Sequence, residues 1–377
     1  MMRRIFPIMG KKVSGVGCQV SGVGVRYAVS TIHHPPFTIH SPPPSSKSGS
    51  ALIVALWVLL ILALLVSGFV FDMTIESGVT SYFRKRMKAQ YLAQAGVAHA
   101  QSMIMRSQSV KADAPEEDED EEAWIRALNL SKGLAVSGLT VEMGAGRFAL
   151  DILPEQGRRN VHMLADEDWE EILDQANVPQ EQWGALIDCF NDWVDKGDEH
   201  RLLGAESDDA FYEKRGYEVK NAPLDTIDEL LLIKGFTAAL VFGGPSEEED
   251  SEPLAGIARW LTTWGDGKVN LNTASREVLL TVSGLNEQNV EALIEGRNGL
   301  DGEPGTKDDG FESVDKAMAF IGLTNPETSS RLTTKGESIL RVVSIGEVEG
   351  VRNGIWCILR AADKKVMPLF WREEPLE

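Results

Sequence analysis

The stretch "SKSGSALIVALWVLLILALLVSGFVFDMTIE" (residues 46–76) decides how the rest of the chain is read. From Ala51 to Phe71 it runs 21 residues without a charge. A helix needs about 20 apolar residues to cross bilayer hydrocarbon, and a helix lying on a soluble core would show a polar face, which this run lacks. Lys47 and a basic leader precede it, and acids dominate after Asp72. The excess of positive charge before the run places the N-terminus in the cytoplasm and the body across the membrane. A secretory signal peptide has a shorter apolar core followed by a small-residue cleavage site. Here the helical pattern instead continues through "YFRKRMKAQYLAQAGVAHAQSMIMR" (82–106), where Tyr82, Met87, Tyr91, Leu92, Ala95, Ala98, Ser102 and Met105 recur near helical spacing. The two parts read as one helix of about 55 residues. Its small residues Ala93, Ala95, Gly96, Ala98 and Ala100 allow close packing against a sheet or another helix.

Charge is distributed unevenly. The net charge is −20, yet six of the 37 basic residues and none of the 57 acids lie before residue 50. A body this acidic is repelled by nucleic-acid phosphates and by anionic lipid. The three cysteines, Cys18, Cys189 and Cys357, have no metal-type spacing. The last two can meet in an oxidising compartment only if the fold brings them together, which their separation in sequence does not decide.

A polar stretch ending in Gly, then "SALIVALWVLL" (50–60) and a helix running into "QAGVAHA" (94–100), resembles the N-terminus of type IV pilins and pseudopilins. The resemblance implies that a prepilin peptidase cuts after Gly49 and that the new N-terminal residue, Ser50, is methylated. It also implies that the apolar segment stays as membrane anchor and filament core. Most such proteins carry Glu at the fifth position after the cut, where this chain has Val54. An uncharged residue there is typical of one branch, the general secretion pathway protein K family of type II secretion minor pseudopilins. Residues 1–48 are longer than an ordinary prepilin leader. "VSGVGCQVSGVGVRY" (13–27) repeats itself and "HHPPFTIHSPPPSS" (33–46) is Pro-rich. The expectation is an over-extended start, with translation beginning nearer Ser46.

Beyond the helix, "DAPEEDEDEE" (113–122) repels itself and reads as a solvated linker. "GLTVEMGAGRFALDIL" (138–153) alternates around a Gly-Ala-Gly turn and predicts a β-hairpin. From about residue 160 to 332 the pattern is helical. Trp169, Ile172, Leu173, Trp183, Leu186, Ile187, Phe190 and Trp193 form the apolar faces of its first two amphipathic segments. Strand patterns return in "SILRVVSIGEV" (338–348), "RNGIWCILRAA" (352–362) and "VMPLFWRE" (366–373). The expected fold is α+β: a long N-terminal helix, transmembrane in its first half, packed on an antiparallel sheet with a large all-α domain inserted between strands. The protein K family has that architecture. The expected boundaries are a leader at 1–49, a transmembrane helix at 50–71 and its periplasmic continuation at 72–107. An acidic linker at 108–133, first strands at 134–155, the inserted domain at 156–334 and closing strands at 335–377 complete the chain.

"DWVDKGDEHRLLGAESDDAFYEKRGY" (192–217) is the richest motif. Asp192, Asp195 and Asp198 recur every third residue, followed by Glu206, Asp208 and Asp209. Hard cations such as Ca²⁺ need six to eight oxygens from carboxylates and loop carbonyls. The spacing is not that of an EF-hand, and on chemistry alone both a cation loop and a solvated acidic loop remain open. The protein K family looks similar here, in the "DW-x-D" helix end, the "GAE" and the Tyr that follows, and that family binds calcium in this region. The resemblance therefore implies a structural Ca²⁺ held by Asp195, Asp198 and Glu206 first, with Asp192, Asp208 and Asp209 behind them. "GLDGEPGTKDDGF" (299–311) offers a second, weaker set in Asp301, Glu303, Asp308 and Asp309.

A competing reading comes from "VNLNTASREVLLTVSGLNEQNVEALIEGR" (269–297), which looks like a helix-hairpin-helix module and defines a unit at 268–323. "NAPLDTIDELLLIKGFT" (221–237) echoes it. Such modules bind nucleic-acid backbone through hairpin amides and nearby cations, so a membrane-anchored DNA receptor of competence type is the alternative function. Against it, Glu277, Glu287, Glu291 and Glu295 outnumber Lys268, Arg276 and Arg297 around the turn. Leu279, Leu280, Val282, Leu285, Val290, Leu293 and Ile294 read as a small core instead. No GxSxG, HExxH, Walker or GxGxxG pattern occurs. Of the three histidines past the leader, His200 falls within the acidic loop, so catalysis is not expected.

The reading is thus a structural protein: a minor pseudopilin anchored in the bacterial inner membrane with a periplasmic C-terminal domain. The resemblance implies a place at the tip of a short pseudopilus. It also implies the I- and J-type minor pseudopilins, the major pseudopilin and the inner-membrane secretion platform as partners.

Overall fold

The computed structural model describes residues 48–111, 115, 120–245, 252–335, 338–362 and 365–376. Most of the acidic run at 113–122, and the leader before Ser48, lie outside the described residues. The chain divides into two compact units, residues 1–69 and 70–377.

In the first unit the described residues are the start of helix α1, Ser48–Ser107. Its apolar side chains from Leu52 to Phe69 are all exposed, as a segment without a polar face must be unless lipid or other helices cover it. α1 is long and apolar enough to cross a membrane.

The second unit holds the rest of α1 and one antiparallel sheet of five strands. These are β1 (Val136–Met143), β2 (Gly146–Pro154), β3 (Ile339–Val348), β4 (Val351–Ala362) and β5 (Lys365–Leu376), paired in that order. Two-residue turns set the register of the β1–β2 and β3–β4 hairpins. Gly144 at positive φ lies between paired Met143 and Gly146, and Glu349 and Gly350, both at positive φ, lie between Val348 and Val351. These are the left-handed turns that match strand twist.

One sheet face packs on α1, and the contact reverses part of the expected pattern. The buried stripe of α1 is Ala89, Leu92, Ala93, Gly96, Val97, Ala100, Met103 and Ile104, whereas Tyr82, Met87, Tyr91, Ala98 and Met105 are exposed. The reason is distance. A methyl at Gly346 on β3 would overlap the Ala89 carbonyl and the Ala93 amide, and one at Gly96 would overlap Ser344 and crowd Phe148. Backbones this close admit only small residues at the points of closest approach, such as Ala89, Ala93 and Gly96. A second correction falls in the linker: residues 121–131 form helix α2 (Glu121–Ser131), burying Trp124, Ala127, Leu128 and Leu130. Glu121 and Glu122 lie in its first turn, where acids suit the helix dipole.

Between β2 and β3 the chain forms a helical domain. It contains α3 (Asp166–Gln175), α4 (Gln180–Val194), α5 (Ala210–Arg215), α6 (Ala238–Phe242), α7 (Arg276–Leu280), α8 (Glu287–Gly296), α9 (Val314–Phe320) and α10 (Pro326–Ser330). Trp169, Ile172, Leu173, Leu186, Ile187, Phe190 and Trp193 share its core, with Trp183 half-buried. Three units repeat one design. Thr226, Ser275 and Ser313 each stand immediately before a short helical turn or helix, and Gly235, Gly284 and Gly322 follow nine positions later at positive φ. A Phe or Leu comes next in each, at Phe236, Leu285 and Leu323. Cys189 belongs to the core of this domain and Cys357 to the α1–sheet core. Both are free, and burial raises their thiols to about 11 and about 12.

Candidate functional site

The acidic loop begins where α4 ends. Asp192, on the last turn, is fully buried and accepts the Arg201 amide on both oxygens, at 3.2 and 3.1 Å. Asp195 caps the helix C-terminus and accepts the Gly197 amide at 2.8 Å. Glu206 is buried, and its Oε1 has no hydrogen-bond partner. Burial pushes its carboxyl up, and Asp192, Asp195 and Asp198 nearby push it further in the same direction. Burial also raises Asp192, against the pull of the Arg201 and Ala205 amides. Gly204 is required beside them, because a methyl there would overlap the Asp192 carboxylate.

The structure splits the six residues picked by spacing. Asp192, Asp195, Asp198 and Glu206 share one electrostatic neighbourhood. Asp209 is committed elsewhere: it caps α5 by accepting the Phe211 amide and pairs with the Lys234 ammonium at 2.7 Å, which holds its carboxyl low. Asp208 is exposed and, behind the Arg201 carbonyl bond, helps to raise His200. A buried carboxylate oxygen without a donor, among three further carboxylates, is what a hard cation satisfies. The chemistry of Glu206, Asp192, Asp195 and Asp198 suits Ca²⁺, but in this arrangement they are not among the carboxylates whose oxygens lie within 4.8 Å of one another.

The second loop is the tighter cluster. Among the described residues, Asp301, Asp308 and Asp309 are the set whose carboxylate oxygens all lie within 4.8 Å of one another. Each already accepts protein donors: Asp301 from the Glu303 amide, Asp308 from the Leu300 amide and Thr306, and Asp309 from the amides of Gly305 and Thr306. The Leu300 amide, first of several donors, holds the Asp308 carboxyl below its usual range. Lys132 donates to the carbonyls of Lys307 and Asp309, tying the loop to the end of α2.

The hairpin module is used for packing. The turn at Gly284 lies against Thr328 and Asn325 of the α10 cap, and Thr328 donates to the Ser283 carbonyl. Arg276 is paired with Glu287 and Glu291, and Arg297 donates inward to the Ala274 carbonyl. Two of the three cations near the turn are thus engaged within the protein, and Lys268 is exposed. The "VNLNTA" stretch, which suggested nucleic acid, is a junction. The Asn272 amide group donates to the carbonyls of Lys132, Phe311 and Thr334 and accepts from the Phe311 amide, while Asn270 and Thr273 donate to Gly133. No spacing rule identified this role, because every partner is a distant backbone group.

Comparison with known proteins bears on both fold and family. Residues 146–242, from the start of β2 to the end of α6, match the family model of type II secretion system protein K. No curated protein matches the chain in sequence. The fold is similar to a chain in the crystal structure of the GspK–GspI–GspJ complex from the type 2 secretion system of enterotoxigenic Escherichia coli. The TM-score is 0.50 and the identity 14%, over 81% of this chain and 100% of that one. Residues 146–242 thus resemble type II secretion system protein K, and the chain shares with that structure a fold of a long N-terminal helix on an antiparallel sheet. The insertion between the strands, expected to be all-α, is largely helical but also holds two short parallel strand pairs, Arg159–Asn160 with Leu261–Thr262 and Val269–Asn270 with Leu332–Thr333.

Proposed function

We propose that the protein is cut after Gly49, methylated at Ser50, anchored by α1 in the inner membrane and placed at the tip of the periplasmic pseudopilus, where it helps start assembly. The observation that carries this is Val54. In pilin-like filaments the carboxylate five residues after the cut is thought to meet the N-terminal amine of the subunit above. A subunit with nothing above it has no such amine, and an unpaired carboxylate in lipid would be costly. The inserted domain suits the same position, since nothing need stack on it. The exposed stripe of Tyr82, Met87, Tyr91 and Met105 supports lateral contact with other subunits. I- and J-type minor pseudopilins, the pair named with the structurally similar chain, are the expected neighbours. The major pseudopilin below and the inner-membrane secretion platform complete the set.

The role is structural. Calcium at Glu206, Asp192, Asp195 and Asp198 would supply charge compensation that clamps the 195–209 loop to the end of α4.

N-terminal sequencing of the membrane protein made with and without prepilin peptidase tests the reading. Ser50 is expected as the mature N-terminus only when the peptidase is present; any other mature N-terminus overturns it. Calorimetry in EGTA and then in CaCl₂ tests the metal, and an unchanged Tm removes calcium from the proposal.

A further inference from the structure

The sheet face turned away from α1 is not fully covered by the inserted domain. Between them lies a cleft of about 490 Å³. Val343, Ile345, Trp356 and Phe370 line it from the sheet, and the segments 225–228 and 258–264 line it from the inserted domain.

Its charges set it apart from the rest of this acidic protein. Four arginines line the cleft, Arg158, Arg259, Arg341 and Arg372. Two are neutralised internally: Arg341 pairs with buried Glu155 at 2.5 Å and lies over the Trp356 ring, and Arg372 pairs with Asp228 and Glu374. Arg259 lies over the Trp260 ring and is close enough to Glu277 to help hold that carboxyl low, and Arg158 is the least engaged of the four. Among the described residues neither Arg158 nor Arg259 has a carboxylate within salt-bridge distance, and Nη1 of Arg158 is buried without a hydrogen-bond partner. The nearby acid Asp225 is engaged by Lys220 at 2.8 Å. A buried guanidinium donor left unpaired is costly, and a carboxylate is its strongest partner.

We propose that this cleft receives an acidic side chain, flanked by apolar residues, from a partner protein. The carboxylate pairs with Arg158 and Arg259, and its apolar neighbours fill the space over Trp356 and Phe370. A volume of this size is in the range of ligand pockets and holds a few side chains. Aromatic floors with arginine anchors are the usual composition of interface centres. The inference goes beyond the tip assignment and uses no residue of the membrane segment, so the result at Ser50 leaves it untouched.

The test uses the full chain in detergent and two synthetic peptides, acetyl-Leu-Phe-Glu-Phe-Leu-amide and its Gln counterpart. The Glu peptide is expected to bind at least tenfold more tightly than the Gln peptide, and to lose that margin against the double variant R158Q/R259Q. Among the described residues neither arginine makes an ion pair, so the circular dichroism of the variant is expected to match the parent and its Tm not to fall. Equal binding of both peptides, no binding of either, or full binding to the variant would overturn the proposal. So would a response to phenylacetate with none to the peptide, which would make the cleft a small-molecule site.

Discussion

At the scale of single residues, Glu206 concentrates the site's chemistry. Its Oε1 is buried without a donor beside three other carboxylates. Glu206→Gln is expected to stabilise the chelated protein by about 1–3 kcal/mol, since it removes a buried unpaired charge, and to abolish any gain from CaCl₂. Denaturation midpoints in both conditions measure this. His162 gives the pH dependence. It is half-buried beside the Leu224 carbonyl, and burial lowers its pKa below the ordinary value. Above the unfolded value both states are neutral and nothing is lost. As pH falls through that value and then through the folded one, the unfolded state takes the proton first, so stability declines. Between pH 7 and 5 the urea midpoint should fall less in His162→Gln than in the parent. The sequence revealed the acids of this site but not their division of labour. Asp192, Asp195, Asp198 and Asp209 look equivalent in a string. Only the fold shows that Asp209 is spent on Lys234 and a helix cap while Glu206 is left unpaired.

At the scale of elements, the contact between α1 and the sheet is governed by closeness. Gly346→Ala should wedge β3 from α1, costing about 1–3 kcal/mol or more as overpacking does, and a urea titration reads the loss directly. The junction at Asn272 is a second such point. Asn272→Ala removes four side-chain hydrogen bonds at a nearly fully buried position. It leaves partner groups of α2's end and the 311 and 334 segments unmatched, for a loss of about 2–4 kcal/mol. The strands and α3 and α4 were legible because their apolar periods of 2 and 3.6 are regular. The stripe on α1 was misread for a physical reason. Periodicity favours large apolar residues, but where the helix lies closest to the sheet it buries Ala89, Ala93, Gly96 and Ala100, beside Leu92, Val97, Met103 and Ile104, and leaves Tyr82, Met87, Tyr91 and Met105 outside. α2 was missed because its first turn merges with an acid run, although "AWIRALNL" (123–130) carries the apolar side chains it buries.

At the scale of the whole molecule, each unit has its own consequence. For the first, Val54→Glu places a carboxylate in an otherwise uncharged run. If the tip assignment holds, the variant is still processed at Gly49 but reaches the pseudopilus less often, which quantitative blotting of sheared filaments measures. For the second, the register of β2 against β3 matters. Pro154 pairs with Leu340, so the chain leaves the sheet and re-enters it at facing positions on adjacent strands, about 5 Å apart. Everything from Glu155 to Ser338 leaves and re-enters the sheet through that one doorway. To the sheet, the whole helical domain is a single very long turn, exchangeable in principle for a pair of residues such as Asn-Gly. A chain so shortened would test whether an ancestral filament subunit still lies intact beneath its passenger.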